Sequence, residues 1–362
     1  MANKTLSLSP AHFKSKPSLL VKTAKMQAIA FRYSTGVCGI RLKNTTGFLE
    51  ILPFQGQQIW KAVVGGRNLT MESPVKEPVP GVDFLKTYGA YLVHCGARRI
   101  AAGTPEDPHP LHGELPNASY QKARVMAGKD KKGNFLSVSG EYEYIEFFGD
   151  HYLACPTLKW YENETLFEVS MTITNKNKTP MELMYLAHIN YKPVDHARIV
   201  YSAPCTPEYV RLRETIPSHI KVSESYLSFL KELKNDPAIH HVLKPGMAYD
   251  PEAVFYIHYL PDNKGYAHTM QIHPDGTSDY VRHRPEELPC ALRWISRTPN
   301  HDAIAIIEPA TAEADGYVAE KNKGNIRILQ GGESFSCTIT MGMLDKKTTA
   351  RMEQMIKENF MR

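Results

Sequence analysis

Leu166-Phe167-Glu168-Val169-Ser170-Met171-Thr172-Ile173-Thr174 sorts into an apolar set at the odd positions and a largely polar set at the even ones. Side chains two apart on a strand share a face, so this period of two predicts a strand with one face in a core and one towards water. Its C-terminal neighbour, Lys176-Asn177-Lys178-Thr179-Pro180, is a cluster of turn formers, and residues 181–191 then resume an apolar strand. The same alternation of short β-rich runs and turns extends both ways. On the N-terminal side the runs are 27–33, 47–52, 57–64, 88–93, 135–146 and 152–161; on the C-terminal side they are 253–259, 267–273, 291–295, 303–307, 326–329 and 335–343. No alternation of β and α units interrupts them. More than a dozen short strands without a parallel-sheet pattern predict an all-β protein, a large antiparallel sandwich of stacked sheets.

Two segments depart from this pattern. Within 213–246, Tyr226, Leu227, Leu230 and Leu233 recur at three and four, Ser223 is a candidate N-cap and Pro237 limits the far end, which predicts a helical insertion. Met352, Met355, Ile356 and Phe360 form an apolar stripe on a C-terminal helix within 346–362. Residues 1–25 read as a polar arm with little periodicity, leaving 26–345 as one β-sandwich domain.

With 362 residues, 42% hydrophobic and 22% charged, the chain has ordinary globular usage and enough length for a large core. The 43 basic and 38 acidic residues are interspersed, so no concentrated basic face is on offer for nucleic acid. No run approaches the roughly 18 apolar residues of a membrane span, and the first 26 residues build no apolar signal core. The expectation is a cytoplasmic protein without membrane contact. Six cysteines stand singly, without a C-x-x-C pair, as reduced thiols rather than a disulfide framework or a zinc clip.

The stretch with most chemistry is His94-Cys95-Gly96-Ala97-Arg98-Arg99-Ile100, followed by His109-Pro110-Leu111-His112-Gly113. Arginine offers a fixed fork of donors to hydroxyls or carboxylates, and histidine titrates nearest working pH. His188 and Asn190 share a strand face. Glu308 directly follows the apolar run Ala303-Ile304-Ala305-Ile306-Ile307, where burial would tune its proton affinity. A carboxylate, histidines and arginine on a concave β scaffold form general acid and base equipment for a polar small molecule. His94, His109, His112, His188 and Glu308 include metal-ligand types, but no H-E-x-x-H or EF-hand spacing supports a metal.

Taken in order, these motifs resemble the aldose 1-epimerase (galactose mutarotase) superfamily, in particular its bacterial epimerase-like branch. Cys95-Gly96-Ala97-Arg98-Arg99-Ile100 is similar to the family's Gly-x-x-Ala-Asn-Arg-Ile, and Leu111-His112-Gly113 to its Leu-His-Gly. Ala187-His188-Ile189-Asn190-Tyr191 stands at the second histidine motif and Ile307-Glu308-Pro309 at the late Glu-Pro. Leu329-Gln330-Gly331-Gly332-Glu333 stands where the family has Leu-x-Pro-Gly-Glu. Arg98 replaces the usual Asn, Glu114 a common second Gly, and the substrate-binding aspartate has no evident counterpart.

The resemblance implies a galactose mutarotase-like β supersandwich and an isomerase that interconverts the α and β anomers of a sugar. Glu308 would be the base and His188 the acid, with His112, Arg99, Arg98, Asn190 and His109 as substrate-binding residues. It implies no cofactor and no metal, a small-molecule sugar as partner, and allows a homodimer. Two alternatives remain: a non-catalytic carbohydrate-binding or regulatory module, and an epimerase-like enzyme on a phosphorylated or acidic sugar, for which Arg98 is the hint.

Overall fold

The computed structural model describes residues 3–81, 83–216, 222–247 and 249–360. Within them, two antiparallel sheets of nine and thirteen strands stack over a common core. The Leu166–Asn175 strand lies inside the nine-stranded sheet, between His151–Tyr161 and Ser334–Leu344. Its Phe167, Val169, Met171 and Ile173 are buried in the inter-sheet core, so the alternation seen in the sequence is the two faces of this sheet.

The thirteen-stranded sheet is buried on both sides at its centre. In the Met181–Ile189 strand, Tyr185, Ala187 and Ile189 enter the inter-sheet core. Met184 and Leu186 point the other way, into a second apolar cluster with Val93, Cys95, Val254, Leu292 and Ala310. That outer face is concave and carries the candidate site.

Three expectations are corrected in detail. The arm at 1–25 supplies two edge strands: Lys4–Ser7 pairs with Lys122–Asp130 in one sheet, and Ser18–Lys22 with Gln27–Arg32 in the other. Edge strands bury little, so their sequence carries no alternation. The strand expected at 88–93 runs instead over Leu92–Ala97, because Ala90 and Tyr91 are buried but stand ahead of the ladder with Met181–Ile189. The helical insertion condenses to a helix at Glu224–Asn235 and a 3-10 turn at Pro237–His241. Ser223 Oγ does cap the helix by accepting from the Tyr226 N–H, at 3.2 Å. Residues 217–221 of the insertion lie outside the described residues. The C-terminal helix spans Lys346–Phe360, and a short helix at Tyr317–Lys323 had no sequence signal.

Candidate active site

Strand register assembles the site. Leu186 of Met181–Ile189 lies opposite Ala310 of Asp302–Ala310. Two residues along each antiparallel strand from that pair, His188 and Glu308 face each other on the same side. A β-bulge makes this happen. On the next strand, Trp294 pairs with Ala305 but Leu292 with Glu308, so Ile306 and Ile307 together oppose Arg293. The extra residue reverses the alternation, sends both isoleucines into the core and turns Glu308 to the concave face.

Glu308 Oε1 lies 2.8 Å from His188 Nδ1, and both side chains are less than a tenth exposed. The contact has ion-pair distance but not hydrogen-bond alignment, so Glu308 Oε1 keeps a lone pair to offer. The Tyr88 phenol oxygen lies 3.2 Å from His188 Nε2 and 3.3 Å from Nδ1, and its O–H donates to Asn190 Oδ1 at 3.0 Å. Burial, and then the nearby Glu308 charge, hold the Tyr88 hydroxyl well above its ordinary pKa, so it stays a neutral phenol. Asn190 in turn donates to the Ala90 carbonyl at 3.0 Å. It braces Tyr88 from behind instead of lining the cavity.

His112 arrives from the loop after Ala97. Its ring packs at 5.4 Å from the His188 ring and 4.9 Å from Phe84. The backbone turns here at positive φ, 60° at His112 and 79° at Gly113. A Cβ on Gly113 would stand 2.3 Å from the Arg99 carbonyl oxygen, so only glycine lets the loop press against the strand end and set His112 beside His188.

Tyr88, His112, His188 and Glu308 line a cavity of about 390 Å³. Trp294 forms one wall, edge-on to His188 at 5.4 Å, and its Nε1 donates to Glu252 Oε2 at 2.6 Å. Arg213 donates to the other Glu252 oxygen and also lines the cavity. Asp315 lines it too, accepting from Tyr256 at 2.6 Å and Thr215 at 2.9 Å. Sequence reasoning missed Tyr88, Arg213, Glu252 and Trp294. For Glu252 a signal was present, a carboxylate abutting the apolar strand Ala253–Ile257, the feature that drew attention to Glu308.

The remaining expected site residues lie elsewhere. Arg98 is spent on Glu146 at 2.5 Å, with Asp150 at 3.5 Å and Glu114 at 3.9 Å, and does not line the cavity. Arg99 is held by Asp107 at 2.9 Å and stacks on Tyr317 at 3.6 Å. His109 Nδ1 lies 2.8 Å from the Pro110 carbonyl, also away from the cavity wall. Both arginines follow the last paired residue, Ala97, so no strand alternation fixes their direction; nearby carboxylates do. Among the described residues the grouping with metal-ligand geometry is Glu313, Asp315 and Glu320, none of them expected. The Lys323 ammonium sits among these three carboxylates at 2.6 to 2.8 Å.

The fold matches solved structures over nearly its whole length. A candidate aldose 1-epimerase from Klebsiella pneumoniae subsp. pneumoniae MGH 78578 superposes with a TM-score of 0.81 at 17% identity, covering 99% of this chain and 96% of that one. A galactose mutarotase-like protein from Clostridium acetobutylicum gives 0.59 at 13% identity, covering 89% and 100%. A candidate aldose 1-epimerase from Escherichia coli K12 gives 0.53 at 15%, covering 84% and 97%. The chain thus has the fold of the aldose 1-epimerase and galactose mutarotase-like proteins, as its motifs led us to expect. Within that fold, residues 34–201 match the family described as "Domain of unknown function (DUF4432)". No protein of curated function matches the sequence. Among the described residues, no helix is long and apolar enough to cross a membrane.

Proposed function

We propose that this chain is an aldose 1-epimerase-like isomerase that exchanges the α and β anomers of a monosaccharide by general acid and base catalysis. The observation that carries the reading is the pairing of Glu308 with His188, 2.8 Å apart in the wall of a cavity shared with His112 and Trp294. Both oxygens that change protonation in ring opening, O1 and O5, are bonded to the same sugar carbon. An acid and a base that serve them must therefore be neighbours, as these are.

In the forward step the Glu308 carboxylate takes the proton from the O1 hydroxyl, and O1 forms the carbonyl. The C1–O5 bond breaks, and O5 keeps the electron pair and takes a proton from the His188 imidazolium. Rotation about C1–C2 presents the other carbonyl face. His188 then removes the O5 proton, O5 closes on C1, and Glu308 returns its proton to O1. Both groups regain their starting states, so the cycle needs no cofactor. His112 is placed to donate to a sugar oxygen, and the Trp294 ring offers a flat apolar wall to the C–H face of a sugar. The cavity lies in the range of small-molecule sites.

The phosphorylated or acidic sugar reading loses its hint, since Arg98 is engaged by carboxylates outside the cavity. Arg213 is the cavity's arginine, and Glu252 answers its charge. Anomer-exchange NMR over neutral, phosphorylated and acidic sugars tests the proposal. We expect exchange above the spontaneous rate for a neutral aldose. Tight binding of a sugar with no exchange would replace the enzyme with a carbohydrate-binding module.

A further inference from the structure

Two loops form adjoining parts of the cavity rim, and a Cβ on Gly316 of the second would stand 3.7 Å from Thr104 Cγ2 of the first. Ala101 to Pro105 stand on one, and Ala314, Asp315 and Gly316 on the other. The first loop is closed on itself: Thr104 and Asp107 exchange backbone hydrogen bonds at 3.2 Å each way, and the Asp107 N–H also reaches Thr104 Oγ1 at 3.2 Å. The second loop leads straight into the Tyr317–Lys323 helix. Neither loop belongs to a sheet, so strand pairing does not fix the distance between them.

Arg99 ties the two loops to each other. Its Nε donates to both Asp107 oxygens, at 3.1 and 2.9 Å, which ties it to the first loop. Its guanidinium carbon lies over the Tyr317 ring, 3.6 Å from the centroid, which ties it to the residue directly after Gly316. Nη1 donates to the Arg98 carbonyl at 2.9 Å and stands 3.7 Å from Glu182, on the rigid strand Met181–Ile189. From the far side Lys321 donates to Glu182 at 2.9 Å and to the Tyr317 hydroxyl at 2.7 Å, so the stacked ring is itself held in place. One planar, always charged fork thus serves three anchors at once, which a lysine ammonium could not do. About a fifth of the Arg99 side chain is exposed, so the bonds work in a partly desolvated setting.

We propose that Arg99 is a positioning residue that locks the two rims of the cavity at one separation, and that it acts on sugar affinity without touching the sugar. This gives the second arginine of the Ala-Arg-Arg-Ile stretch a role different from the substrate contact its motif implied. The proposal rests on the anomerase reading for its kinetic consequence but not for its structural one. Arg99→Gln, Asp107→Asn and Tyr317→Leu each remove a different part of the lock, and none of these residues lines the cavity.

The test combines hydrogen-deuterium exchange with kinetics on the full chain. In all three variants, amides of both rims, 101–107 and 311–317, should exchange faster, by roughly tenfold, while the strands beneath keep their protection. On a sugar the wild-type protein turns over, KM should rise about tenfold with kcat within about threefold, the signature of lost binding with the chemistry intact. Arg99→Lys should restore part of the protection at 101–107, through Asp107, and none at 311–317. Unchanged exchange at 311–317 in the Arg99→Gln variant overturns the lock. A raised KM in Arg99→Gln alone, with Asp107→Asn and Tyr317→Leu at wild-type values, overturns it in favour of direct sugar contact. Should no sugar be turned over, the anomerase reading fails while the exchange measurement still decides the lock.

Discussion

The paired strands Cys290–Arg297 and Asp302–Ala310 carry a polar cluster on each face, and the two differ in what surrounds them. On the concave face, Glu308 and His188 meet beside an open cavity with Trp294. On the inner face, one residue before Trp294, Arg293 is fully buried between the sheets. It donates to the Ile306 carbonyl at 3.0 Å and to Tyr259 at 3.2 Å, lies 2.5 Å from His240 Nε2 and packs over the Tyr201 ring at 4.3 Å. Both clusters pair a histidine with a charged partner. Only one has a cavity with room for a ligand and a carboxylate in its wall, so the proposed chemistry goes with the cavity and the other cluster ties the two sheets together.

That contrast is broken or sharpened most strongly by His188→Asn. The change removes the proton donor while keeping a polar side chain, so anomer exchange should fall by roughly 100-fold to 10,000-fold with little change in the urea midpoint. A midpoint that drops sharply instead would make His188 a structural histidine like His240.

The mirror experiment is Arg293→Ala, which empties a fully buried site and strips partners from Tyr259 and His240. We expect a loss of about 3–5 kcal/mol in unfolding free energy, measured by urea titration, while the folded fraction keeps exchange within several-fold of wild type. Loss of exchange in protein shown to be folded would mean that the inner cluster reaches the chemistry.

Acidification should act on the buried side of the comparison. Burial lowers His94 to about 4 and His283 to about 3, and burial followed by the Arg293 charge lowers His240 well below 6.5. Below pH 6.5 the unfolded chain binds protons on these histidines that the folded chain does not, so stability falls with pH. The fall continues until the folded values near 4 and 3 are reached. Each fully buried histidine contributes a slope of about 1.4 kcal/mol per pH unit in that window. Urea midpoints that stay flat between pH 7 and 5 would show that these imidazoles protonate within the fold.

The smallest effect is expected from chelation. The Lys323 ammonium already pairs with each of the Glu313, Asp315 and Glu320 carboxylates, and the proposed acid and base pair needs no ion, so exchange should be unchanged by EDTA. Abolition of exchange by chelation, with recovery on adding a divalent metal, would contradict this.

The sequence was most legible where one face of a strand meets a core. Leu166–Asn175 alternates because one side packs and the other is wet, and its observed bounds match the run read from the sequence. Lys122–Asp130 was not read as a strand, since its charged ends and alanines mask the alternation, and Lys4–Ser7 and Ser18–Lys22 were missed as edges. At the candidate site, motif order singled out His112, His188 and Glu308, which the fold brings to one cavity. Their convergence was not legible, since it depends on the bulge opposite Arg293, which no local pattern announces. Arg98, Arg99 and His109, expected at the same place, do not line that cavity, for a related reason. They sit on a loop, where the direction of a side chain is set by partners such as Asp107 and Glu146 that no strand or helix period marks out.

The central claim is that Glu308 is the proton acceptor in anomer exchange, and Glu308→Gln tests it most directly because the amide keeps the size and hydrogen-bonding reach of the carboxylate but cannot take the proton. On a sugar that the wild-type protein exchanges, magnetisation-transfer NMR should show the rate falling by roughly 100-fold to 10,000-fold, with sugar affinity within a few-fold of wild type. A variant that exchanges the same sugar at near wild-type rate would contradict the account.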